Sequence, residues 1–308
     1  MVFYHTINYF ATIGYDGTKY LRFVTGSFIF ISGYIVAVFY QHKYLLNRIA
    51  TSKRLVTRGF KILIIYTSLN LLINLLNIQT FKAIQYDIDS FLTNLDDIYL
   101  KGNSLYAAFQ ILVPIAYLLI LSPLLLFWGK WKKTIIASTA ILLSAHVLLN
   151  ISSFNLYGLL IGLFGLSIGL LSIDQNAFSI KSKSLIIVLF CLSIIMMPFF
   201  DKNILLYAIG LTIIMKLVFD FSKLLNLDIF LNKLVILLGR YSLLSYLMQI
   251  FFLQGMYQLF LKKRFDLGYE LLLIIFITNI FLIVLCSLID LLRHKFILLN
   301  RLYKLVFA

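Results

Sequence analysis

The stretch that decides the fold is Tyr269-Glu270-Leu271-Leu272-Leu273-Ile274-Ile275-Phe276-Ile277-Thr278-Asn279-Ile280-Phe281-Leu282-Ile283-Val284-Leu285-Cys286-Ser287-Leu288-Ile289-Asp290-Leu291-Leu292. No side chain between Glu270 and Asp290 is charged. A helix needs about 20 mainly apolar residues to cross the hydrocarbon core of a bilayer, and this run has them. A barrel strand would alternate polar and apolar residues, which it does not do. Working outward, the runs at roughly 21–41, 55–77, 104–128, 134–150, 153–173, 184–200, 203–221 and 234–261 read the same way. A shorter piece, Met1 to about Gly14, suffices for the outer half of a span. The sequence therefore predicts an all-α, polytopic integral membrane protein of about ten transmembrane helices, a single domain over residues 1–308.

Composition agrees. The 308 residues are 62% hydrophobic and 13% charged, with a mean hydropathy of +0.98. A soluble domain with so little charge would lack the polar surface to cover itself, since such chains run to roughly 25% charged. With 3 Pro, 15 Gly and 2 Cys, disorder, collagen and a disulfide scaffold are excluded as well. Cys191 and Cys286 each lie in an apolar run and read as small buried hydrophobes. His5, His42, His146 and His294 show no metal-ligand spacing, so no metal is expected.

The net charge of +15 is read as an orientation signal, not as a nucleic-acid surface. Taking the loop Lys43–Arg54 as cytosolic places Lys130, Lys132, Lys133, Lys181, Lys183, Lys223, Lys233 and the tail Arg293, Lys295, Arg301 and Lys304 on the same side. Basic residues then favour that side nearly two to one, although Lys262, Lys263 and Arg264 oppose it. Trp128 and Trp131 fall at the cytosolic end of the fourth span, where indole rings favour the interface. The expectation is a multi-pass protein of the cell (inner) membrane with both termini cytosolic. Residues 78–103, with Asp87, Asp89, Asp96 and Asp97 among Ile, Phe, Leu and Tyr, form the one long loop. It reads as an extracytoplasmic amphipathic segment, either a solvated connector or an acceptor-binding lid.

Several features serve packing. Gly158, Gly162, Gly165 and Gly169 share one face of the sixth span and let another backbone approach. Pro114 and Pro123 are each expected to free a carbonyl and bend the fourth span. His146, with Asn150 one turn away, reads as a hydrogen-bonded packing histidine.

Ionisable groups at membrane depth are costly and mark sites by default. His5 lies about ten residues, or ~15 Å, from the turn at Tyr15-Asp16-Gly17, near the midplane. Arg54, Arg58 and Lys61 share a helical face at the cytosolic mouth of the third span, suited to phosphates or to snorkelling. Arg240, Ser242, Tyr246 and Gln249 are spaced to share a face where the ninth span opens.

These residues resemble a family. His5-Thr6, then Gly14 to Gly17, then Phe28-Ile29-Phe30-Ile31-Ser32-Gly33-Tyr34 is similar to the opening of the membrane acyltransferase 3 superfamily. There a first-helix histidine is followed by a Gly-containing turn and an aromatic run ending in Ser-Gly-Phe/Tyr. Arg54 and Arg58 resemble the basic motif after the family's second helix. Gly239-Arg240-x-Ser242-Leu243-x-x-Tyr246-Leu247 resembles its Gly-x-x-Ser-Leu-x-x-Tyr-Leu-x-His signature, with Gln249 standing where the family has histidine. Ser32-Gly33-Tyr34 and Leu299-Asn300-Arg301-Leu302-Tyr303 are similar to the branch that succinylates periplasmic glucans. The family places a basic residue about ten positions before its histidine. Four residues precede His5, so the first helix is expected to be cut short on its cytosolic side.

The resemblance implies transfer of an acetyl, succinyl or similar acyl group from cytosolic acyl-CoA to a hydroxyl of an extracytoplasmic glycan or glycolipid. His5 is then general base or acyl-carrying nucleophile, Arg54, Arg58 and Lys61 hold the donor's phosphates, and Arg240 and Tyr246 stabilise the thioester oxygen or orient the site. Two other readings stay open, a multi-pass transporter or flippase of a lipid-linked sugar and a truncated non-catalytic relative. A transporter would show structural repeats, and none is evident.

Overall fold

A computed structural model describes residues 1–11, 19–75, 88–102, 107–128, 138–139, 141–146, 153–171, 182–200, 203–224, 229–260, 265 and 268–307. These residues fold as helices: α1 (Val2–Phe10), α2 (Phe23–Ile35), α3 (Gln41–Leu46), α4 (Arg48–Leu75), α5 (Ile88–Thr93), α6 (Leu112–Trp128), α7 (Phe154–Leu171), α8 (Lys183–Phe200), α9 (Ile204–Leu224), α10 (Ile229–Arg240), α11 (Ser242–Leu259), α12 (Tyr269–Lys295) and α13 (Ile297–Phe307). Among the described residues the sole β-type pairing is an isolated parallel bridge between Ala11 and Phe265. A π-helical turn, Val36–Tyr40, carries α2 into α3, so that Lys19–Leu46 runs on as one apolar element.

Among the described residues, five helical elements are long and apolar enough to cross a membrane: Lys19–Leu46, Arg48–Asn74, Phe154–Leu171, Ile204–Leu224 and Tyr269–Lys295. Leu112–Phe127 and Ser184–Phe200 are apolar but shorter. The run predicted as one span over 234–261 is broken. Leu231–Arg240 and Ser242–Leu259 meet at 86° about Tyr241. The bend follows from polar chemistry that an unbroken apolar helix would not accommodate, because Arg240 and Tyr241 both turn to Asp290 of α12. Most of the expected span at 134–150 lies outside the described residues, as do the turn at Tyr15-Asp16-Gly17, Trp131, Asn150 and the cluster Lys262, Lys263 and Arg264.

The helices fall into two compact units, one built from α1 and α10–α13 and the other from α2–α9. The second unit is organised by the glycine stripe of α7. Gly158 abuts Pro114 and Ile29, Gly162 abuts Leu118, Gly165 lies on the Phe30 carbonyl, and Gly169 meets Ala37. From the other side, a Cβ on Gly33 would run into the Gly162 carbonyl oxygen, so the two backbones touch. The stripe therefore packs α2 and α6 onto α7, as its spacing predicts. Pro114 departs from expectation. It sits in the first turn of α6, where its missing N–H costs no helical hydrogen bond. Pro123 lies inside the helix and frees the Leu119 carbonyl, which the Ser122 hydroxyl satisfies at 2.7 Å.

The described part of the long loop, residues 88–102, is docked along part of its length, while Asp89, Asp96 and Lys101 stay exposed. Phe91 and Ile98 are buried. The Asn155 amide donates to the carbonyls of Ile98 (2.9 Å) and Tyr99 (2.8 Å), Tyr117 donates to Tyr99, and Ser153 donates to Leu100. Gly102 turns the chain away in the left-handed region (φ 75°), against the Asn155 side chain, where another residue would clash. Its neighbours 78–87 lie outside the described residues.

Candidate functional site

In the first unit, α1 lies along α11. His5 faces Tyr246 with ring centroids 6.1 Å apart, and Phe10 faces Tyr257 at 5.8 Å, so the two helices run parallel. The seam is sealed at one end by Ile7, Phe10, Leu253, Tyr257, Leu271 and Ile274, and by a hydrogen bond from the Phe265 amide to the Phe10 carbonyl at 2.6 Å. Apolar spacing along α11 dictates this face, because Tyr246, Ile250, Leu253 and Tyr257 recur at helical intervals.

On these two helices the polar atoms are out of balance. His5 Nε2, Thr6 Oγ1, Gln249 Nε2 and Gln254 Nε2 are enclosed, yet meet no hydrogen-bonding partner among the described residues. A buried polar atom left unpaired costs roughly 1–3 kcal/mol, so four of them in two short helices oppose folding unless something else engages them. Tyr4 caps the imidazole edge-on at 5.2 Å. Tyr246 is buried against it, and Gln249 is buried on the same helix, three residues on. Together these groups offer a ring nitrogen, hydroxyls and amides in an otherwise apolar wall. Such a set suits an oxygen-rich ligand and proton transfer at one atom of it.

Along α11, His5 sits against its opening turns. Tyr246 is four residues into α11, or ~6 Å from its first residue at 1.5 Å per residue. The pair therefore lies near the bend, not midway along the helix, because the chain turns aside at Tyr241 and starts α11 there.

Arg240 is not part of this seam. It ends α10, is 55% exposed, and its Nη1 stands 3.5 Å from Asp290 Oδ1. The 86° bend removes it from the face it was predicted to share with Ser242, Tyr246 and Gln249, and Ser242 itself is exposed. What sequence reasoning missed is the hub that Arg240 joins. Tyr241 donates to Asp290 at 2.6 Å and accepts from Arg293 Nη1 at 2.8 Å. Arg293 also donates to Asn300 Oδ1 and lies 3.9 Å from the centre of the Tyr303 ring. Burial pushes the Tyr303 phenol above its ordinary pKa, with the Arg293 charge pulling the other way. A lone Asp at the end of the apolar run 269–292 was the signal for this hub. Its partners are distant in sequence and could not be paired with it by spacing.

In the second unit, Arg54, Arg58 and Lys61 do share a face of α4, since the helix runs unbroken from Arg48 to Leu75. Arg54 is exposed and Lys61 half-buried. Arg58 hydrogen-bonds the Tyr40 hydroxyl, and its guanidinium lies 6.0 Å from the Tyr40 ring. Lys43 approaches the same ring at 5.7 Å. Tyr40 closes the π-helical turn, so an irregularity invisible in the sequence brings its hydroxyl to the cationic face.

Among the described residues no cluster of His, Cys, Asp and Glu could hold a metal ion. No family model, curated protein or solved structure matches this chain.

Proposed function

We propose that this chain is an integral membrane acyltransferase that moves an acetyl or similar acyl group from cytosolic acyl-CoA to a hydroxyl of an extracytoplasmic glycan or glycolipid. The observation that carries the reading is His5, an imidazole whose Nε2 is enclosed, with no partner among the described residues, beside Tyr246 in an apolar helix seam. An alcohol is a poor nucleophile until its proton is taken, and neutral imidazole suits that work near pH 7. As the hydroxyl oxygen attacks the thioester carbon, its proton passes to His5 Nε2. The carbon–sulfur bond then breaks, and the CoA thiolate takes up a proton as it leaves. The Tyr246 hydroxyl donates to the carbonyl oxygen while that oxygen carries charge.

Arg54, Arg58 and Lys61 take the donor's phosphates, with Arg58 held in place by Tyr40. Arg240 acts indirectly, through Asp290, by fixing the bend one turn before Tyr246. The proposed topology has about ten spans in the cell (inner) membrane with both termini cytosolic, following the bias of basic residues.

The test uses proteoliposomes of the full chain with labelled acetyl-CoA outside and glycan trapped inside. Wild type transfers label, and His5→Ala lowers transfer by about 10²–10⁴-fold, the usual contribution of a general base. Full transfer by His5→Ala overturns the assignment.

A further inference from the structure

The bend at Tyr241 has a consequence independent of catalysis. If the 18 residues of α11 cross the bilayer, α10, set at 86° to it, lies along the membrane plane. Its 12 residues, ~18 Å, are in any case too short to span. The tail also turns back. Tyr303 follows Arg293 by ten residues, ~15 Å along a continuous helix, yet its ring stands 3.9 Å from the Arg293 guanidinium. The extended backbone at Phe296 makes that turn.

Helix α13 is amphipathic about this anchor. Asn300 and Tyr303 face the hub, while Leu298, Leu299, Leu302 and Val306 form an exposed apolar arc and Arg301 and Lys304 an exposed cationic one. Helix α10 likewise exposes Leu231, Val235 and Ile236. Between α10 and α12 is a groove of about 600 Å³. Leu237 and Leu291 form its apolar wall, Ser287 and Asp290 its polar one, and His294 and Lys295 its rim. Across α10, the end of α12 and α13 the described charged residues are Lys233, Arg240, Arg293, Lys295, Arg301 and Lys304 against Asp290 alone. Asp290 is already engaged by Tyr241 and Arg240 through Oδ1, and its Oδ2 lies 3.9 Å from His294 Nε2.

We propose that α10 and α13 are interfacial helices, held by the Asp290–Tyr241–Arg293 hub, and that the groove between α10 and α12 seats an anionic phospholipid. Its phosphate meets Lys295 and His294, its first acyl carbons run along Leu237 and Leu291, and Arg301 and Lys304 add a cationic rim. Exposed apolar arcs next to cations that outnumber acids six to one match a negatively charged headgroup over acyl chains.

The experiment measures lipid retention by native mass spectrometry and thermal unfolding of the purified full chain in neutral detergent, titrated with phosphatidylglycerol or phosphatidylcholine. Wild type retains phosphatidylglycerol preferentially and is stabilised by it. The triple variant Lys295→Gln, Arg301→Gln, Lys304→Gln loses about hundredfold in affinity, at about fivefold per cation near a lipid surface. Lys101→Gln, an exposed cation of the other unit, leaves affinity unchanged. Equal retention of the two lipids, or wild-type affinity in the triple variant, overturns the proposal. Displacement of the lipid by millimolar inorganic phosphate also overturns it, by assigning the cations to free phosphate.

Discussion

The two histidine–tyrosine pairs of this chain are nearly the same object in two different settings. His5 stands 6.1 Å from Tyr246 in the first unit, and His146 stands 6.1 Å from Tyr157 in the second. Each imidazole has one enclosed nitrogen without a hydrogen-bonding partner among the described residues. Their neighbours differ. Tyr157 leads to Tyr207 at 5.7 Å, and the Tyr207 ring fills the space where Gly26 would carry a Cβ, so that row is packed shut. His5 instead has Thr6 and Gln249 on the same pair of helices, each with an enclosed polar atom unpaired. His146 Nδ1 sits in a filled row, whereas His5 Nε2 shares its pair of helices with further enclosed polar atoms, which we read as a binding surface.

The sharpest way to break this comparison is to exchange the roles. His5→Gln keeps polarity but cannot carry a proton, and transfer should fall by at least ~100-fold. His146→Gln should leave transfer within about twofold and lower thermal stability only slightly. If His146→Gln abolishes transfer and His5→Gln spares it, the site belongs to the other unit.

How much of this was legible beforehand depends on the range of the interaction. The glycine stripe was readable because Gly158 to Gly169 repeat on one helix face, and any neighbour must come close there. The cationic face of α4 was readable for the same reason of local periodicity. His5 stood out because an imidazole in an apolar helix is rare. The bend at Tyr241 was not readable, since apolar residues continue on both sides of it and its cause is Asp290, 49 positions away. Arg240 was therefore assigned to a face it does not occupy. The docking of residues 88–102 was hidden likewise, because it depends on the Asn155 side chain reaching carbonyls 56 and 57 positions earlier.

The same contrast predicts opposite signs for two amide substitutions. Asn155 donates to two backbone carbonyls, so Asn155→Leu strips the Ile98 carbonyl of its side-chain donor and leaves the Tyr99 carbonyl to Tyr117 alone; it should destabilise the chain by about 1–3 kcal/mol, seen as a lower unfolding midpoint and faster proteolysis within 88–102. Gln249 Nε2 has no partner among the described residues, so Gln249→Leu should leave the midpoint unchanged or raise it, because an enclosed orphan is removed. Transfer should nonetheless drop in Gln249→Leu. Matching losses of stability in both variants would dissolve the distinction between structural and ligand-facing amides.

The smallest effect tests whether polar groups in the second unit serve the backbone one by one. Ser122 donates to the Leu119 carbonyl that Pro123 leaves without an N–H. Ser122→Ala alone should cost about 1 kcal/mol, since that carbonyl then has no partner in an apolar helix. In a Pro123→Ala background the backbone amide of residue 123 reaches the same carbonyl, and removing the Ser122 hydroxyl should cost nothing further. A double-mutant cycle read from unfolding midpoints therefore returns a coupling close to the whole single-mutant effect. Additive losses would mean that Ser122 acts on something other than Leu119. The repair of a proline gap would then no longer count as an example of a side chain spent on structure, against which the unspent side chains around His5 stand out.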